Sequence, residues 1–161
     1  MKSSYAWVLI HLLKHKLGHP ESKTACIFNM SIGYDHKGII EDNVQNFLHN
    51  MQNAGSFIQQ KKDEIKDIYP QIETLRIDAC ISDNITLSTM HGCPPQEIES
   101  IAAYLLREKR LHTAIKLNPT LLGKKSIDKI LLESGFDTMV PSTAFEHDLK
   151  MEDAVPMINN L

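Results

Sequence analysis

Two short segments of this chain read as buried strands, the first of them apolar at almost every position, and they limit its folds more than any other feature. Ala25-Cys-Ile-Phe-Asn-Met-Ser-Ile32 and Thr113-Ala-Ile-Lys-Leu-Asn118 lack the in-out alternation of a strand with one wet face. Strands buried on both faces read this way, and such burial is typical of parallel sheets covered by helices. Ile85-Thr-Leu-Ser-Thr-Met90 and Asp137-Thr-Met-Val-Pro141 complete a set of four expected strands.

Helical periodicity fills the gaps between them. Tyr5, Val8, Leu9, Leu12, Leu13 and Lys16 fall at three-and-four spacing over residues 4–17, with Gly18 and Pro20 as the stop. A second helix is expected over residues 39–53, through Ile40, Val44, Phe47, Leu48 and Met51. Pro95 opens a third, running to about Arg110, and Gln96, Glu97 and Glu99 suit its positive end. Ser126 is the expected cap of a helix over residues 127–134, which Gly135 ends, and one more helix covers residues 149–160. Residues 55–83 read as an insertion: a charged helical stretch ended by Pro70, then a run without clear periodicity. Strand–helix alternation of this kind means parallel α/β. A doubly wound sheet and a piece of a (β/α)8 barrel both fit.

Composition excludes several classes. The 161 residues are 42% apolar and 23% charged, enough for one domain with a core. A net charge of −3 gives no basic field for nucleic acid. The apolar run Tyr5–Leu13 is too short to span a bilayer, and no cleavage signal follows it. Cys26, Cys80 and Cys93 are too few and too scattered for a disulfide scaffold or a C-x-x-C metal site, so a reducing cytoplasm is the expected setting. His11 and His15 have helical i, i+4 spacing but no evident third metal ligand. No G-x-G-x-x-G dinucleotide fingerprint occurs.

In parallel α/β folds, ligands gather at the carboxyl ends of the strands. That rule selects Asn29, Ser31 and Tyr34, then Thr86, Ser88, Thr89, His91 and Cys93, then Lys116 and Asn118. Lys116 is the most informative. It interrupts Ala114-Ile-Lys-Leu117, where a buried ammonium needs an anion or an electron-rich ligand as partner. The alternative is a structural ion pair, or a side chain emerging at the strand end. Asn118-Pro-Thr120 adds amide and hydroxyl groups suited to a planar heterocycle. His91-Gly-Cys-Pro-Pro95 places an acid/base group and a thiol on one proline-stiffened loop.

Ile27-Phe-Asn-Met-Ser-Ile-Gly-Tyr34, Thr86-Leu-Ser-Thr-Met-His-Gly-Cys-Pro-Pro95 and Lys116-Leu-Asn-Pro-Thr-Leu-Leu-Gly123 resemble the N-terminal part of the selenate-reductase-type iron–sulfur and flavin subunit family, as do Phe145, Asp148, Leu149 and Ala154. The resemblance covers Tyr5 to Leu161. It implies a barrel similar to that of dihydroorotate and dihydropyrimidine dehydrogenases, within a larger redox protein carrying iron–sulfur clusters and dinucleotide sites. It further implies that Lys116 contacts a flavin such as FMN, with Asn118, Thr86, Ser88, Asn29 and Ser31 lining the same mouth. Thr86 stands where those dehydrogenases have a substrate-binding asparagine, and Thr89 where they have a catalytic cysteine or serine. Cys93 lies four residues further on, and His91 is the candidate acid/base.

A full barrel takes about 250 residues. The chain is therefore expected to be part of one, inactive alone, and to associate with itself, with the rest of the barrel or with downstream redox domains. A non-catalytic scaffold that docks such domains is the competing expectation.

Overall fold

A computed structural model describes residues 2–19, 26–90 and 92–161. They form two compact units, one from residues 1–29 and 42–84, the other from residues 30–41 and 85–161.

In the first unit, helix α1 (Lys2–Lys16) packs against α4 (Gly55–Ile65). Lys14, His15 and Lys16 sit in the last turn of α1, where cations complement the helix dipole. Gly18 follows at φ 76°, the left-handed conformation that closes a helix and that a Cβ disfavours. The inward face differs from the periodicity reading. Ser4, Trp7 and Val8 are buried, whereas Tyr5, Leu9 and Leu13 are exposed. Trp7 sets this rotation: its indole Nε1 donates to the Asp78 carbonyl at 2.8 Å, and its ring meets Phe28 edge-on.

Helix α3 (Asp42–Gln52) buries Val44, Leu48 and Met51 on one side, as its spacing requires. The stretch after α4 makes a 3-10 turn at Pro70–Glu73 and then runs without regular structure to Asp83. Donated bonds hold that run. The Ala54 N–H donates to the Ala79 carbonyl, those of Ile81 and Ser82 donate to the Met51 carbonyl, and the Lys62 ammonium donates to the Leu75 carbonyl. The segment without periodicity is thus held by backbone contacts, which leave no pattern in the sequence, and by the buried Ile72, Leu75 and Ile81 at irregular spacing.

The second unit is α/β. Strands β1 (Asn29–Ile32), β2 (Asn84–Ser88) and β3 (His112–Lys116) form a parallel sheet in the order β1-β2-β3, with Asn29 and Asn84 just across the division in the first unit. Met30, Ile32, Ile85 and Leu87 alternate with more exposed neighbours along their strands and are buried, as are Ile98, Ile101 and Leu105 of the following helical stretch. Asp35 caps the short helix α2 (His36–Ile39), accepting from the Gly38 N–H at 2.8 Å. Pro95 begins α5 (Pro95–Ala103), which passes into a π-helical turn over Tyr104–Glu108. Helices α6 (Lys124–Glu133) and α7 (Met151–Asn159) follow.

Several expectations need correction. The second expected helix, over residues 39–53, begins only at Asp42 as α3, and Ile39 instead ends the short helix α2. Gly123, leaving a 3-10 turn at φ 79°, precedes α6, so Ser126 lies inside the helix and does not cap it. Three strands, not four, occur among the described residues. Asp137–Pro141 has no regular secondary structure and does not join the sheet, and α6 side chains take both backbone groups of Val140. Its N–H donates to Asp128 Oδ1 at 3.4 Å, and its carbonyl accepts from Lys124 Nζ at 2.6 Å. The start of β1 was expected at Ala25, which falls outside the described residues. No helix among the described residues is long and apolar enough to cross a membrane.

Candidate functional site

The carboxyl end of the three-stranded sheet gathers most of the selected residues, and the strand register decides how. The Thr89 N–H donates to the Lys116 carbonyl at 3.4 Å, which in a parallel ladder sets Ser88 beside Lys116 with both side chains on one face. A Cβ built on Gly33 would lie 3.4 Å from the Ser88 Cβ, so Gly33, and with it Ser31, shares that face. The face therefore carries Ser31 and Gly33 from β1 and its end, Thr86 and Ser88 from β2, and Ala114 and Lys116 from β3. Every one is polar, small or cationic. The opposite face carries the aliphatic core.

Lys116 is exposed, which corrects the expectation of a buried ammonium. It lies on the outermost strand, on the face away from the core, where His112 and Ala114 are exposed too. Its nitrogen has no ion pair or hydrogen bond to a described residue, and it stands at the same end of the sheet as the loop after β2. Ser31 is exposed, while Thr86, Ser88 and Asn118 are half-buried. Asn29 is the first residue of β1, so it sits at the amino end of that strand, about 10 Å of extended chain from Ile32.

The catalytic candidates separate. His91 lies outside the described residues. The half-buried Thr89 donates its Oγ1 to the Lys116 carbonyl at 3.0 Å, so its hydroxyl proton is already committed to the backbone. The Cys93 thiol donates to Glu97 Oε2 at 3.8 Å, while Glu97 Oε1 accepts from the His36 N–H at 3.1 Å. Burial, then the Glu97 carboxylate and Asp35, push the Cys93 thiol above its ordinary range, so it stays protonated at neutral pH.

Sequence reasoning saw Glu97 as a helix-start residue and missed it as the acceptor joining Cys93 to α2. The available signal was a carboxylate in the first turn of a helix whose start, at Pro94–Pro95, directly follows Cys93. For metals, no group of three or more His, Cys, Asp or Glu side chains among the described residues could hold an ion. Cys26 and Cys80 belong to the first unit and Cys93 to the second. The described donor set does not fit an iron–sulfur cluster.

Comparison with known proteins agrees with this arrangement at the level of the domain. Residues 3–161 match the family model described as "Oxidoreductase YgfK, N-terminal TIM-barrel domain". Over 181 aligned residues the chain is 35% identical to the protein named "Putative oxidoreductase YgfK" of Escherichia coli strain K12, and equally so to its counterpart in strain O157:H7. The alignment covers 97% of this chain and 17% of each relative. No solved structure matches. With its sheet, its helices and nearly its whole length accounted for, the chain belongs to the family of YgfK-type oxidoreductase N-terminal TIM-barrel domains.

Proposed function

We propose that this chain contributes the flavin-facing part of the barrel of a flavin and iron–sulfur oxidoreductase subunit of the selenate-reductase type, acting together with the rest of a larger redox protein. The observation that supports this reading is the uncovered polar face at the carboxyl end of the sheet, where Lys116 and Ser88 stand side by side. Gly33 and Ala114 leave that face flat, and a Cβ at Gly33 would lie in contact with Ser88. A planar, electron-rich ring such as that of FMN fits these features. Lys116 would supply a cation to it, and Ser88, Thr86 and Asn118 hydrogen-bonding groups. Flavin, when bound, supplies hydride and single-electron transfer, and the protein supplies orientation and charge.

A second reading has its own support. Thr89 is tied to the backbone and Cys93 is held as a neutral thiol, so two of the candidate proton carriers are occupied. A scaffold barrel that docks other redox domains needs neither of them. The visible absorption spectrum of the full-length protein as purified separates the two. A flavin absorbance that drops in Lys116→Ala supports the first reading, and a folded protein whose flavin absorbance is unchanged by that substitution supports the second.

A further inference from the structure

We propose that Asp148 is a positioning residue that couples the loop after β2 to the turn after β3, so that neither shifts alone. Asp148 is 7% exposed and is the one charged side chain buried among the described residues. Its two oxygens serve different loops. Oδ1 accepts from the Gly92 N–H at 3.2 Å, and Oδ2 accepts from Thr120 Oγ1 at 2.7 Å.

A carboxylate withdrawn from water is costly unless its oxygens are filled by donors. Loss of either donor removes one of the bonds that seat the carboxylate, so its hold on the other loop weakens. The Gly92 end is shaped to match. Gly92 has φ 74°, a conformation that suits glycine and aims its N–H at the carboxylate. The two loops carry Cys93 and Asn118, so fixing them relative to each other fixes the rim of the polar face. The consequence for a ligand rests on the flavin reading above. The coupling itself does not.

Backbone hydrogen exchange at the Gly92 amide and over residues 118–123, in the full-length protein and its Asp148→Asn, Thr120→Val and Thr120→Ser variants, tests the coupling alongside titration with FMN. Thr120→Val alters the turn after β3 alone. It is expected to speed exchange at Gly92 at least fivefold and to raise the FMN dissociation constant about tenfold, with Thr120→Ser restoring both. Exchange that changes only within residues 118–123, or at neither place, overturns the proposal. If Asp148→Asn fails to fold, the two Thr120 variants decide. If the wild-type protein takes up no FMN while Gly92 exchange still follows Thr120, the coupling stands and the flavin reading falls.

Discussion

Thr89 donates twice to one atom, the carbonyl oxygen of Lys116, from its backbone N–H at 3.4 Å and from its hydroxyl at 3.0 Å. The second bond ties the end of β2 to the end of β3 where the ladder gives out. Replacing Thr89 with valine keeps the shape and removes the hydroxyl donor. The expected cost is about 1 kcal/mol of unfolding free energy, read as a lower denaturant midpoint with an unchanged slope. No loss of stability would mean that the hydroxyl bond contributes nothing.

Each unit has its own core, so one truncation in each tests both. Leu48 in α3 and Leu87 in β2 are 0% and 2% exposed. Leu48→Ala and Leu87→Ala are each expected to cost about 2–5 kcal/mol, since each removes buried methyl groups and leaves a cavity. Equilibrium denaturation measures this, and a cost below about 1 kcal/mol at either site would contradict the burial described.

Thiol chemistry should distinguish the three cysteines. Cys26 is exposed, while Cys80 and Cys93 are half-buried with thiols held protonated. Thiolates are the reactive species. At pH 7.5 an alkylating reagent should therefore modify Cys26 first and the other two markedly more slowly, as followed by peptide mass spectrometry. Equal rates would show that burial and the neighbouring carboxylates do not protect Cys80 and Cys93.

The same thiols give stability a pH dependence. Burial, followed by Asp83 and Asp78, raises the Cys80 thiol, and burial with Glu97 raises that of Cys93. Both folded values lie above the ordinary value of 9.0. The folded state therefore binds these protons more tightly than the unfolded state, and the associated stability is present below the ordinary value. It is lost as pH rises through the folded values. Denaturation midpoints should fall as pH rises above 9.0 toward the folded values, and fall less in a Cys80→Ser/Cys93→Ser double variant. A midpoint independent of pH in that window would contradict the assignment.

The sequence was most readable where apolar side chains carry the structure. Ile85 and Leu87 announced β2, Pro95 announced α5, and Val44, Leu48 and Met51 announced α3, because burial imposes a period on sequence. Polar links to the backbone carry no such period. The indole of Trp7 on Asp78 rotated α1 away from its expected face, and Lys124 with Asp128 kept Val140 out of a fourth strand. The candidate site divided in the same way. The strand-end rule found Ser88 and Lys116, yet the exposure of Lys116 follows from its place on an outer strand, and strand order is not written in local sequence. Thr120 and Asp148 meet across 28 positions, a distance that no local pattern spans.

The most direct test is the affinity of the full-length protein for FMN, measured in the wild type, in Lys116→Ala and in the control Lys129→Ala, whose ammonium lies 3.7 Å from Glu133 on the exposed side of α6. The account predicts saturable binding that weakens at least tenfold in Lys116→Ala and stays unchanged in Lys129→Ala. Equal binding by all three proteins, or no binding by the wild type, would contradict it.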